Sequence, residues 1–358
     1  MLFSRFMQLA LYDPLGGYYT AGRAAVGRAG DFFTNVSVGS VFGKLLAGQF
    51  LEMWELLDRP EAFTLVEQGA NDAQLAHDIL DALRGTALEG VRFLIVEPSP
   101  ILQKRQSALL SGFPVGWVTS PEELPAFCGV HFSNELFDAL PFDLLQAHGG
   151  AWREMLVDSD GEALFFKLSP AGLQGLPLPE RPDGFQAELR IGQRQILAAL
   201  AQRLLNGFLL TIDYGMTQAE LFAPHRSGGT LACYSHHRRD TNPLETPGEK
   251  DITAHVDFTA LVRDAAACGF VPLGYTDQHH FLVGAATSLL QSLDGHPPTP
   301  ASLKTVRALR TLLHPESMGT QFQVLLLAKN TVPLATLSGF QHARDINAPF
   351  GDILQIGD

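Results

Sequence analysis

The chain has 358 residues, 46% of them hydrophobic, enough to bury a large core as one elaborated domain or two small ones. Its 25 Lys and Arg stand against 38 Asp and Glu, and the net charge of −13 argues against nucleic-acid binding or an anionic-membrane footprint. The three cysteines, Cys128, Cys233 and Cys268, lie far apart without a CxxC pair, and no apolar run approaches the roughly 20 residues of a spanning helix, so the expectation is a soluble chain in a reducing cytoplasm.

Residues 1–60 are rich in glycine and aromatics and read as helices with a glycine-rich loop. Beyond them, short apolar runs alternate with helical patterns, the mark of a parallel sheet covered by helices. "FTLVEQG" (63–69) reads as a first strand, and "AQLAHDILDAL" (73–83) carries Leu75, Ile79, Leu80 and Leu83 at helical spacing, with Asp72 placed to cap it. "VRFLIVEPSP" (91–100) is a second strand halted by Pro98, followed by a helix over 101–110 and a third strand over 115–120. A fourth strand over 129–143 breaks into a turn, a fifth covers 207–215, and a helix covers 257–270. "HHFLVGAA" (279–286) and "QFQVLLLAKN" (321–330) read as the strands that close the sheet. The pattern gives a doubly wound α/β domain over 61–330, interrupted at about 150–190 and 216–256, with a tail over 331–358.

In such sheets a ligand lies beyond the carboxyl ends of the strands, where the first strand-to-helix turn stands. "GANDAQ" has one glycine where a dinucleotide turn would show GxGxxG, so a nicotinamide dehydrogenase is disfavoured. S-adenosylmethionine carries no phosphate and needs only one close backbone approach beside an acidic residue. Glu67 and Gly69 of "EQG" supply that minimum, and Glu97, ending the second strand, is placed to accept hydrogen bonds from ribose hydroxyls. Asn71, Asp72 and Pro98, in the two turns, are further candidates to contact the cofactor.

The chain resembles the MidA-like family of S-adenosylmethionine-dependent methyltransferases, whose mitochondrial members are protein arginine methyltransferases serving complex I assembly. "FMQLALYDPLGGYY" (6–19), "GDFFT" (30–34), "VEPSPILQKRQ" (96–106), "NELFDALPFD" (134–143), "IDYG" (212–215), "PGEKDITAHVDF" (247–258) and "MGTQFQVLLLAK" (318–329) carry the resemblance, in the family's order. It implies a class I methyltransferase fold, Rossmann-like and mostly parallel with an antiparallel closing strand, plus an N-terminal helical segment and inserted lid regions. It also implies that Gly30, Asp31 and Thr34 form a loop over the methionine moiety. Two features depart from the family: Asn71 and Ala73 stand at glycine-like positions, and "NVSVG" follows "GDFFT" in place of a Pro-Glu pair.

The implied acceptor is a protein arginine, and the fourth strand's exit is where it would sit. A guanidinium stays charged at neutral pH and calls for carboxylates that grip it and favour proton loss. Glu135 and Asp138 at that exit, and Asp213 at the end of the neighbouring strand, are the candidate catalytic carboxylates, with Asn134 orienting the acceptor or touching the cofactor. His236, His237, His255, His279 and His280 lack the spacing of a metal site, so no metal is expected; His237 and His255 remain candidates to line the acceptor cleft, and Tyr18, Tyr19 and Tyr214 to pack on the substrate. A small-molecule acceptor, or a scaffold that kept the fold without catalysis, is the alternative, and the oligomeric state is open, a homodimer among the options.

Overall fold

The computed structural model describes residues 1–20, 35–235, 238–295, 297–314, 319–331 and 335–354. The chain divides into two compact units, one drawn from Met1–Phe32, Phe137–Gln195 and Gly215–Leu261, the other from Phe33–Leu136, Ile196–Tyr214 and Val262–Asp358.

The second unit is built on a long sheet. Strands β1 (Thr64–Gln68), β2 (Arg92–Val96), β3 (Val115–Val118), β4 (Phe127–Asn134) and β9 (Leu204–Met216) run parallel; β15 (Phe322–Lys329) lies antiparallel to β9, and β14 (Val271–Asp277) antiparallel to β15. Their order is β14-β15-β9-β4-β1-β2-β3, so the chain starts in the middle and winds both ways, as the sequence pattern predicts. β1 is buried along its whole length, Thr64, Glu67 and Gln68 included, as expected of a central parallel strand covered on both faces. One sheet face, with Leu65, Phe93, Phe132, Leu210 and Ile212, packs under α2 (Val41–Leu56) and α3 (Gln74–Ala82) through Phe42, Leu46, Phe50, Leu75 and Ile79. Each such side chain contributes roughly 1.5–3 kcal/mol on burial. A helix stripe of period 3.6 thus meets a strand face of period 2, and the carboxyl ends of β1, β2, β4 and β9 are left to hold chemistry.

One expected element is corrected. Residues 279–286 are not a strand; 279–285 lie within α8 (Gln278–Ala285) and Ala286 is its C-cap, while Asp277 caps the start, its Oδ1 accepting the His280 N–H at 2.9 Å. The strand beside β15 is β14, one segment earlier, and its pairing shifts register between Pro272 and Gly274. A short apolar run does not distinguish strand from buried helix, and the capping aspartate decides it here. The antiparallel closing strand at 321–330 is present as β15.

The first unit is antiparallel. Strands β5 (Asp143–His148), β6 (Ala151–Ser159), β7 (Leu164–Leu168) and β8 (Gln186–Leu189) form a sheet in the order β7-β6-β5-β8. β10 (Ala232–Ser235), β11 (Arg238–Asp240) and β12 (Asp251–Thr253) form a smaller one. Helix α1 (Phe3–Tyr12) buries Phe3, Phe6, Met7 and Leu11 against Tyr18, Phe142, Leu144 and Val157. The stretches over 150–190 and 216–256 therefore contain ordered strands of this unit. Among the described residues no helix is long and apolar enough to cross a membrane.

Candidate functional site

The turn leaving β1 departs from helical and strand geometry at every second residue. Gly69 has φ +82°, Asn71 +47° and Ala73 +64°. Glycine occupies this left-handed region freely, asparagine tolerates it, and alanine pays roughly 1–2 kcal/mol. A Cβ at Gly69 would also stand 3.2 Å from Leu136 Cδ1, so both conformation and contact call for glycine there. The turn closes through the Ala73 N–H on Ala70 O at 2.7 Å; the N-cap of α3 is Ala73 and not Asp72 as expected, and Asp72, one residue earlier, accepts the Gln74 N–H on Oδ1 at 3.1 Å. Glu67, just before the turn, is 2% exposed and its Oε2 has no hydrogen-bond partner among the described residues. Burial, with the Asp72 charge adding, pushes its carboxyl up to about 8.

The exit of β2 is organised by its own residues. Glu97 Oε1 accepts the Ser99 N–H at 2.8 Å, Ser99 Oγ accepts from Leu102 N as the N-cap of α4 (Pro100–Leu109), and Pro100 stands in that helix's first turn. Pro98 is exposed and separates strand from cap. Glu97 is buried, which raises its carboxyl, while the Ser99 N–H and the Gln106 amide pull it back. Gln106, on the buried face of α4, escapes a reading by residue type. Its Nε2 donates to Glu97 Oε2 at 3.1 Å and to the Asn71 carbonyl at 2.8 Å, and its Oε1 accepts the Trp117 indole N–H at 2.9 Å. The available signal was its spacing: Gln106 stands four residues after the buried Leu102, where an apolar residue would continue the stripe.

At the exit of β4, Glu135 is a non-glycine residue at φ +56°, and its N–H donates to Ile212 O at 2.9 Å. Asn134 Nδ2 donates to Glu135 Oε1 at 2.9 Å, and Asn134 Oδ1 accepts from Asn35 Nδ2 at 3.2 Å, so a chain of amides orients the carboxylate. Asn35 is fully buried and belongs to the "NVSVG" segment that departs from the family. Asp213, at the end of β9, accepts the Leu136 N–H on Oδ2 at 3.1 Å and the Tyr214 N–H on Oδ1 at 2.8 Å. Its carboxylate shapes the turn that carries Glu135.

Glu67, Gly69, Asn71, Asp72, Glu97, Pro98, Asn134, Glu135 and Asp213 all belong to the second unit, at the carboxyl ends of its parallel strands. Asp138 belongs to the first, where its charge acts on the Tyr19 and Tyr234 phenols and its carbonyl accepts from Arg190. Gly30, Asp31, Thr34, His236 and His237 lie outside the described residues. His255, in the first unit, is neutral: burial lowers it to about 4, and its N–H group on the backbone donates to Thr230 Oγ1. His279 meets the Leu313 carbonyl and His280 the Asp277 carboxylate. Tyr18 is core, Tyr19 donates to Asp251 Oδ1 at 2.8 Å, and Tyr214 packs on Phe322.

The chain is 29% identical to the mitochondrial protein arginine methyltransferase NDUFAF7 of Danio rerio, across 93% of this chain and 84% of the relative. It is 30% identical to the Drosophila melanogaster homologue, across 90% and 80%. A structure from Burkholderia thailandensis with S-adenosylhomocysteine bound superposes with a TM-score of 0.81 at 27% identity, covering 96% of this chain and 92% of that one. The cytoplasmic location expected from the cysteines is overturned, since the curated relatives are named mitochondrial, from zebrafish to human, and free cysteines do not separate reducing compartments. Residues 45–276, well over half of the chain, match the family described as "Putative S-adenosyl-L-methionine-dependent methyltransferase", and the protein belongs to that family.

Proposed function

We propose that the methyl acceptor is a protein arginine side chain and that Glu135 is the carboxylate that receives its guanidinium. The relatives named above are protein arginine methyltransferases, which supports a protein substrate. The observation that carries the reading is the backbone of Glu135, held at φ +56° with its carboxylate tied to Asn134. Strain at a polar residue on a strand's carboxyl end points to a functional demand, since packing alone does not require it.

The cofactor is S-adenosyl-L-methionine, and the residues present fit it. Glu67 presents a buried carboxyl oxygen with no partner among the described residues, as an ammonium group requires. Glu97 retains acceptor capacity beyond the Ser99 and Gln106 bonds, as ribose hydroxyls require. Gly69 removes the side chain from the turn between them. When bound, the cofactor supplies an electrophilic methyl group. The chain's own part is to hold the acceptor nitrogen in line and to take its proton, and a carboxylate at Glu135 does both: it grips two N–H groups and accepts the proton as the new N–C bond forms. Asp213, with its oxygens turned to backbone amides, holds the turn in place.

The test is labelled methyl transfer to proteins, with mass-spectrometric location of the mark, on wild type and Glu135→Gln. Turnover should fall by roughly two orders of magnitude while cofactor affinity stays within a few-fold. An unchanged rate removes Glu135 from the mechanism. A mark on lysine or on a small molecule removes arginine as the acceptor.

A further inference from the structure

Asn71 and Ala73 are held in left-handed geometry without being glycines, and the bonds inside their turn do not explain how. Ala70 O and Asp72 Oδ1 take the N–H groups of Ala73 and Gln74, and neither bond engages the Asn71 carbonyl. That carbonyl is tied from outside, by Gln106 Nε2 at 2.8 Å. The same nitrogen reaches Glu97 Oε2 at 3.1 Å. A primary amide has two N–H protons, so both bonds form at once and join the turn after β1 to the acid ending β2. The amide cannot be reversed, because its oxygen accepts from the Trp117 indole, which only donates. All four residues belong to one unit, and Gln106 has no exposed surface.

We infer that Gln106 is a positioning residue that holds the left-handed turn after β1 in place. It fixes the backbone of Asn71 against Glu97, so the turn keeps its left-handed shape without glycine at 71 or 73, and Trp117 holds Gln106 in register. The inference rests on the cofactor site proposed above. It also specifies what that site requires here: a tertiary tie in place of local flexibility. Glycines at 71 and 73 would make the tie dispensable, since glycine enters left-handed geometry unaided.

The experiment is calorimetric titration of the full chain with S-adenosylhomocysteine, with thermal unfolding recorded for every variant. Gln106→Leu should weaken binding by about tenfold or more, and Trp117→Phe, which removes the indole N–H along with the smaller ring of the indole, by a few-fold. Adding Asn71→Gly and Ala73→Gly to Gln106→Leu should recover most of the lost affinity, which a merely structural glutamine would not allow. Gln106→Leu binding within twofold of wild type overturns the inference, as does a glycine pair that restores nothing. If Gln106→Leu fails to fold, Trp117→Phe decides: wild-type affinity overturns the inference, and a few-fold loss at unchanged melting temperature supports it. A wild-type chain that binds no S-adenosylhomocysteine overturns the cofactor site itself, an outcome distinct from equal binding by wild type and variant.

Discussion

The turns after β1 and β2 leave the carboxyl ends of two paired parallel strands and are built by opposite means. After β2, each residue supports the next: Glu97 accepts from Ser99, Ser99 caps α4, and Pro100 suits the helix's first turn. After β1, Gly69, Asn71 and Ala73 stand at positive φ with one glycine among them, and the carbonyl of Asn71 is held by a glutamine 35 positions away. One turn is encoded locally and the other is imposed by the fold. An imposed turn stores strain, so it responds to changes in shape, while the local one responds to loss of a hydrogen-bonding group.

The largest contrast should come from the locally built side. Glu97→Ala deletes the proposed ribose acceptor and leaves Ser99 on α4's N-cap, so affinity for S-adenosylhomocysteine should fall by roughly 10- to 100-fold, about 1–3 kcal/mol. Equal affinities in calorimetry would take Glu97 out of the site. On the imposed side, Glu67 should make the protein pH-sensitive. Its carboxyl rises from the ordinary 4.5 to about 8, so the folded state holds the proton that the unfolded chain releases, and this group's contribution to stability is present below about 4.5 and lost as pH climbs to about 8. Glu67→Gln should flatten that dependence and be the more stable protein near pH 8, with the gap closing toward pH 5. Parallel unfolding curves at both pH values would remove the buried acid from the account. The smallest effect is expected at Ala73. Glycine relieves the left-handed strain but is more flexible when unfolded, so Ala73→Gly should gain about 0.5–1 kcal/mol in denaturant unfolding. A loss of stability there would show that the turn is unstrained.

That last sign runs against a reading of Ala73 as a helix former. As the first residue of a helical pattern it looks favourable, and its φ of +64° makes it a strained N-cap with no side-chain bond. The difference marks the limit of legibility. Periodicity exposes β1, β2, β4, β9 and the helices between them because each is buried along a regular face. Residue type at strand ends exposes Glu67, Gly69, Glu97 and Glu135 as candidates. Gln106, Trp117 and Asn35 were not legible, because a buried amide is chosen by partners distant in sequence, and nothing at its own position announces them. The same limit explains α8, whose apolar run permits a strand until Asp277 is seen to cap it. It also explains Asp213, whose oxygens face backbone amides that no sequence pattern displays.

The register shift in β14 bears on how the protein behaves in a crowded solution. The long sheet ends on β3, four residues long, and on β14, whose pairing skips between Pro272 and Gly274. Open sheet borders recruit strands from neighbouring molecules, and a proline without an N–H beside a break in the ladder is a poor template for such growth. Both borders of the long sheet are therefore blunted, one by brevity and one by irregularity, and neither should template strand addition from a neighbouring molecule.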